Sequence, residues 1–386
     1  MSLDGLHGSH PYFAKFHYDL PLEHIARYTK PGDTVLDPFC GSGTALIAAN
    51  SVGRNAIGID ANPLACLIAR VKTSKPDAED FRELERLHET ATTVRNEKTG
   101  RHGLFDAQVV NRIADAPEIH NGGYWFEPDV VISMREIKGL IETVQRPVAL
   151  DAGRLAFSRI IVRMSNQQGE SVYRRVVKTH PPAHAWVLFE RSIGEVVNTL
   201  RSAEGTLHSS VRATVHNEDC RTFSAEEKSC DLVVTSPPYL NSWDYSLYQK
   251  FRMLWLGFDP KSYSEVEIGN HLRTLRDGQR EILRYSADIN RVFQNLALAL
   301  KAQGHCVFVN GESVVSGEII NTDEIIEKAA NASGMKLVSK ELRTVLGPHF
   351  GNHASMKSRK VVSKIIKKKT ESILSFSFTR GALDAY

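Results

Sequence analysis

The 386-residue chain lacks any apolar run approaching the length of a membrane span, and its first residues hold no signal-peptide hydrophobic region. Both absences point away from an integral membrane protein and from a secreted one. Cysteine is scarce, with Cys40, Cys66, Cys220, Cys230 and Cys306 making five. The number is odd and no two form a C-x-x-C pair, which argues against a zinc site and favours reduced thiols in a cytoplasmic protein. His7, His10, His17 and His24 have no Cys, Asp or Glu partner at ligand spacing, so no metal is expected. Neither sign of charge dominates: the net charge is +3, and a nucleic-acid partner has to be argued from local patches. Internal repeats and low-complexity tracts are also missing. What is present is ordinary for a globular chain, 42% hydrophobic and 24% charged, with ample material for a core in one large domain or two.

Strand and helix signals alternate at both ends. Residues 34–39 (TVLDPF) read as a buried strand, 44–52 as a helix, 55–60 (NAIGID) as a strand and 63–71 as a helix. That is a βαβα pattern and predicts a parallel sheet with right-handed crossovers. Pro76 and Asp77 open a helix with Phe81, Leu84, Leu87, Ala91 and Val94 at helical spacing. An aromatic cluster (Tyr124, Trp125, Phe126) comes next, then helices over 130–144, 153–164 and 184–200. The α/β pattern resumes with strands at 213–216 and 231–234 and an amphipathic helix over 279–303 that Gly304 should cap. A strand at 305–309, a helix at 322–332 and two strands at 336–345 and 372–379 complete the chain. The short link between the last two suits an antiparallel pair. The simplest assembly is one sheet from 1–72 and 205–386, interrupted by a mainly helical insertion over 73–204.

Three constellations sit where strands end, which is where open α/β sheets bind ligands. The first is Asp37-Pro38-Phe39-Cys40-Gly41-Ser42-Gly43-Thr44, a strand, a Gly-x-Gly turn and a helix start. Its glycines allow a sharp turn and a close approach to a ligand. It is neither a dinucleotide fingerprint, since Leu46 stands where the last Gly or Ala belongs, nor a P-loop, since no Gly-Lys-Ser/Thr comes after it. About twenty residues on, Asp60 ends the second strand, placed to accept from ribose hydroxyls. The pair favours an adenosine-containing cofactor held by carboxylates. At the third strand end Asp219 is placed to accept from an exocyclic amine such as that of adenine; the plainer reading is a loop or cap acid.

The most informative stretch is Thr235-Ser236-Pro237-Pro238-Tyr239. Two prolines cannot donate to a sheet or sit inside a helix, and each pushes its predecessor extended. The result is a stiff segment offering the Ser236 hydroxyl, the Pro237 carbonyl and the flat ring of Tyr239. That set suits a planar base with an amino group: two acceptors for its hydrogens and a ring to stack on, worth about 1–3 kcal/mol. A base inside a duplex would have to be flipped out to reach it. The bland reading is a proline-rich surface turn with a core tyrosine.

These motifs together resemble the signatures of the amino-group DNA methyltransferases, over about two thirds of the chain. The Ser-Pro-Pro-Tyr form looks like the cytosine-N4 branch; adenine-N6 enzymes more often show Asp or Asn at position 236. The resemblance implies S-adenosylmethionine as methyl donor and an α/β, Rossmann-like seven-stranded sheet with one antiparallel strand and helices on both faces. It implies that Asp37 and Gly41, with Pro38, Phe39, Gly43 and Thr44 of the same motif, lie near the methionine part of the cofactor, and Asp60, with neighbouring Asn62, at its ribose. Asp219 and Cys220 would lie near the adenine. Phe13, Lys15 and Phe16 resemble the N-terminal cofactor motif more loosely. Ser236, Pro237, Pro238 and Tyr239 would form the catalytic pocket, in which the amine attacks the sulfonium methyl in line without a covalent enzyme intermediate.

For DNA contact, three basic stretches are candidates: Arg154, Arg159, Arg163, Arg174, Arg175 and Lys178; Arg273, Arg276 and Arg280; and Lys357, Arg359, Lys360, Lys364, Lys367, Lys368 and Lys369. Each alone reads equally as a solvated face. Trp243 and Tyr245 are placed to stack on the flipped base, or to pack in the core. The expectation is therefore a cytoplasmic, DNA-associated cytosine-N4 methyltransferase serving restriction–modification, with a restriction endonuclease as partner in the same system, or epigenetic marking. Adenine-N6 methylation, RNA base methylation and a non-catalytic nucleic-acid-binding subunit are the alternatives.

Overall fold

The computed structural model describes residues 3–13, 15–100, 112–181, 183–223, 226–241, 243–345 and 369–379. The chain forms two compact units, one from residues 1–13, 70–207 and 247–260, the other from 14–69, 208–246 and 261–386.

The second unit holds a seven-stranded sheet. Its strands are β1 (Thr34–Asp37), β2 (Asn55–Ile59), β3 (Ala213–His216), β4 (Cys230–Thr235), β5 (Leu300–Gly311), β6 (Met335–Val345) and β7 (Lys369–Phe378). They lie in the order β6-β7-β5-β4-β1-β2-β3. β1 to β5 are parallel, and β7 runs antiparallel to both neighbours. The expected Rossmann-like seven-stranded sheet, with one reversed strand, is present. Alternation along the strands separates two cores. Leu232, Val234, Val307 and Val309 pack with Leu20, Ile25 and Leu46 on one face. Val233, Cys306 and Phe308 pack with Tyr285, Ile289 and Phe293 on the other. A period of two on central strands buried on both faces produces this division.

The amphipathic helix runs Gly278–Ala299, four residues shorter at its end than its periodicity suggests. Leu300 leaves the helix in extended backbone because it is fully buried and pairs with Cys230 in the ladder. Gly304 is consequently not a helix cap. It lies in β5 against the Asp231 carbonyl, where an added Cβ would stand 3.2 Å from that oxygen, and the register shifts beside it. Ladder pairing of a buried leucine here outweighs helix propagation. Two helices of the other unit start at a proline, Pro128–Ile141 and Pro147–Met164, the second six residues before its expected start. Pro at N1 loses no hydrogen bond, so it opens the helix rather than breaking it.

In the first unit, Asp77 caps the Ala78–Lys98 helix with a full capping box. That helix, Pro147–Met164 and His184–Ala203 pack together around Leu84, Leu87, Leu155 and Phe189. A hairpin not foreseen from the sequence, Gln167–Gly169 with Val172–Arg175, is held by a buried cation. Arg252 is 1% exposed, donates to the Ser158 carbonyl at 2.8 Å and forks onto the Glu170 carboxylate. Trp125, Tyr173 and Phe251 form a cluster of mutually tilted rings beside it. Glu170 is partly exposed and would be resolvated, so Arg252→Ala should cost about 1–3 kcal/mol from the lost charge-assisted hydrogen bonds, read as an earlier urea transition.

Candidate active site

The site is built where β1, β2 and β4 end in the sheet-bearing unit. β1 and β4 are neighbours, paired at Val35↔Leu232 and Leu36↔Val233. That register brings the Gly-x-Gly motif and the Ser-Pro-Pro-Tyr segment side by side. The Thr235 hydroxyl donates to Asp37 Oδ1 at 2.6 Å, and the Phe39 N–H donates to the same oxygen at 3.1 Å. Asp37 is 2% exposed, and burial pushes its carboxyl up to about 7. Asp60, at the end of β2, accepts the Gly41 N–H at 2.8 Å on one oxygen and the Asn62 N–H at 2.8 Å on the other. Burial raises it to about 6, against those two bonds. The Gly-x-Gly turn is thus tied to Asp60 before any ligand arrives.

Gly43 caps the Thr44–Ser51 helix in the left-handed region, at φ +80°, and an added Cβ would meet Ala69 at 3.0 Å. Only glycine fits this position without strain. The hydroxyls of Ser42 and Thr44 in this turn are buried and have no hydrogen-bond partner among the described residues. Buried hydroxyls of this kind ask for a polar ligand. A carboxylate pair, a glycine turn and two unpartnered hydroxyls fit an amino-acid-bearing, ribose-bearing cofactor such as S-adenosylmethionine. Pro38 and Phe39 continue the turn, and Phe39 packs partly buried against the core.

Other expected residues have different occupations. Asn62 is fully buried, and its side-chain oxygen accepts from the N–H groups of Leu64 and Ala65 at the start of the next helix. Asp219 is clasped by Arg221, whose Nε and Nη2 bond both carboxylate oxygens while its N–H bonds Oδ1. Arg221 in turn reaches Asp288 at 2.9 Å. The acceptor sites proposed for an adenine amine are therefore filled. Cys220 is buried, and its carbonyl accepts from Asn295. Lys15 belongs to this unit and burial lowers its pKa; Phe13 belongs to the other unit.

In the Pro-Pro-Tyr segment, Pro237 is buried, while Ser236, Pro238 and Tyr239 are half-buried. The Ser236 hydroxyl donates to the Tyr239 oxygen, which donates to Glu371 on β7. Asn241 lies two residues on at φ +60°, with its side-chain NH2 on the Val314 carbonyl at 2.6 Å. Its Oδ1 then faces His271 Nδ1 at 2.6 Å, so that nitrogen carries the proton. Tyr245 is half-buried; burial, then the Asp60 and Glu267 carboxylates, push its phenol up. Its N–H donates to Glu267, a buried acid raised to about 7 by burial and by the neighbouring Asp244. Trp243 is half-buried in the same loop.

Arg273 serves the protein interior, donating to the Ser264 and Glu267 carbonyls, while Arg276 and Arg280 are exposed. Of the insertion's cations, Arg159 pairs with Glu195, Arg175 lies over the Tyr124 ring and Lys178 bonds the Val162 carbonyl. Arg163 and Arg174 are exposed. Lys357, Arg359, Lys360, Lys364, Lys367 and Lys368 lie outside the described residues. Glu371, Asn241, His271 and Glu267 are not legible from the sequence, because none belongs to a strand-end motif and Glu371 stands 132 residues from Tyr239.

Gly43→Ala should destabilise the protein by about 1–3 kcal/mol, seen as a lower thermal midpoint, because a Cβ is forced into left-handed backbone against Ala69.

The chain is similar to known proteins over parts of its length. Residues 3–71 match the family model described as DNA methylase, covering N6 and N4 methyltransferases. A type II methyltransferase of Methanocaldococcus jannaschii is 41% identical over 122 residues, 31% of this chain and 22% of that protein. A second, from Geobacillus stearothermophilus, is 23% identical over 321 residues, 74% of this chain and 62% of its own. The chain thus spans under two thirds of the length of these curated relatives. A solved S-adenosylmethionine-dependent methyltransferase from Methanosarcina mazei covers 92% of this chain and 97% of that one at 10% identity, with a TM-score of 0.36. The family match lies on the stretch that holds the Gly-x-Gly turn and Asp60, so this part of the chain is similar to the N6 and N4 DNA methylases.

Proposed function

We propose that this protein transfers the methyl group of S-adenosylmethionine to the exocyclic N4 amine of a flipped cytosine in DNA. The observation that carries the reading is the Thr235–Asp37 hydrogen bond, which joins the stiff Ser-Pro-Pro-Tyr segment to the cofactor turn. Asp37, Gly41, Ser42, Gly43, Thr44 and Asp60 would hold the cofactor, which when bound supplies an electrophilic methyl on a sulfonium.

The chain's own contribution is positioning and electrostatics. Ser236 Oγ and the Pro237 carbonyl accept the amine's hydrogens and direct its lone pair outward. Two prolines hold those acceptors, so little reorganisation is needed as charge develops. Tyr239 offers its face to the base. Ser236, in place of the Asp or Asn that the adenine-N6 branch favours, supports cytosine. Among the described residues of the three basic stretches, Arg163, Arg174, Arg276 and Arg280 are exposed and would meet phosphates.

Incubation with mixed-sequence duplex DNA and S-adenosylmethionine, with nucleoside mass spectrometry of the product, should yield N4-methylcytosine. N6-methyladenine would overturn the choice of base, and an unmarked DNA with intact cofactor binding would overturn DNA as the substrate.

The buried acid adds a pH dependence. Asp37 in the free protein takes up its proton near pH 7, well above an ordinary carboxyl. If the ionised form receives the cofactor's ammonium, protonation competes with binding. Affinity for S-adenosylmethionine, measured by calorimetry, should fall up to about tenfold per pH unit below 7. In Asp37→Asn it should be weak, and the limb should be lost between pH 7 and about 6, the range below which Asp60 titrates.

A further inference from the structure

Ser236 raises a directional question. A hydroxyl has one proton and two lone pairs, and it can donate as readily as it accepts. To receive hydrogen from an amine its own proton must point elsewhere. Nothing in a Ser-Pro-Pro-Tyr sequence says where.

The structure supplies a chain of three groups. Ser236 Oγ donates to the Tyr239 hydroxyl at 3.3 Å, and that hydroxyl donates to Glu371 Oε1 at 3.2 Å. An ionised carboxylate can only accept. With Glu371 at its end, the chain runs one way: Tyr239 gives its proton to Glu371, its oxygen receives the Ser236 proton, and the Ser236 lone pairs are left for the substrate. Both distances are long for O–H···O, and such bonds tighten in the reacting complex.

The same ladder step fixes the ring. Glu371 of β7 is the register partner of Gly311 of β5. An added Cβ on Gly311 would stand 2.5 Å from Tyr239 Cε2. The ring therefore lies directly on the Gly311 backbone, and its hydroxyl meets the residue paired across from that glycine. Position and polarity of Tyr239 are set by one cross-strand pair.

We propose that Glu371 is a positioning residue that acts through Tyr239 to hold Ser236 as a hydrogen acceptor, so that the pocket receives an amine donor. This rests on the amine-methylation reading above. No proton has to travel along the chain; its role is to fix which way each hydroxyl points.

The test is a double-mutant cycle on DNA methylation, with kcat, KM and cofactor affinity measured separately. Glu371→Gln keeps the shape but can present an NH2 donor to Tyr239, which reverses the chain. We expect kcat to fall about 10- to 100-fold with the S-adenosylmethionine Kd within about twofold. Tyr239→Phe should show a similar loss, and adding Glu371→Gln to it should lower kcat no further. A wild-type kcat in Glu371→Gln, or a full additional loss in the Tyr239→Phe background, overturns the proposal. Should Glu371→Gln fail to fold, Tyr239→Phe decides alone, and an unchanged kcat there overturns it too. A wild-type protein that marks no amine overturns this proposal together with the functional reading; a wild-type mark with an unaffected variant overturns this proposal alone.

Discussion

The hydrogen bond from Thr235 to Asp37 is the constraint on which the site depends. It spans the ends of two adjacent parallel strands whose residues lie 198 positions apart. Its 2.6 Å length and the burial of both groups leave little freedom between the cofactor turn and the Pro-Pro-Tyr segment. Rigidity continues on both sides. Asp60 ties the turn at Gly41, and two prolines stiffen the backbone just beyond Thr235. For the proposed reaction, which needs an amine placed opposite a methyl group, this kind of preorganisation matters most.

Burying carboxylates has an electrostatic consequence. Asp37, Asp60 and Glu267 all hold their protons more tightly than exposed acids, with burial as the main cause in each. Asp37 and Glu267 are each raised further by a neighbouring acid. A cationic ligand that approaches Asp37 and Asp60 relieves this repulsion, whereas an anionic one would add to it. S-adenosylmethionine carries a sulfonium and an ammonium, which suits the first case.

Charged residues were the least faithful guides. Arg273, Asp219 and Arg159 sit in stretches that suggest ligand contact, yet each is occupied by the protein. Arg273 holds two backbone carbonyls, Asp219 holds Arg221, and Arg159 holds Glu195. A basic or acidic residue in a sequence announces only that a charge must be solvated or paired. Which partner satisfies it depends on what other elements bring near. Asn62 is a milder case: its side-chain oxygen accepts from the first N–H groups of the next helix.

Local chemistry by itself determined much of this protein. The Gly-x-Gly turn, the acid after the second strand and the double proline each constrain the backbone on their own, so their place at strand ends was legible. So was the order of strands and helices, because periodicity is a local property. Tertiary structure decided what locality cannot reach. The end of the Gly278–Ala299 helix moved because Leu300 found a partner in Cys230. The hairpin at 167–175 exists around a buried arginine some eighty residues away in sequence. The partners of Tyr239, Glu371 and Gly311, come from opposite members of an antiparallel pair. Such pairs are fixed by ladder register, and register is chosen by which side chains the whole core buries, not by the residues on either side of a motif.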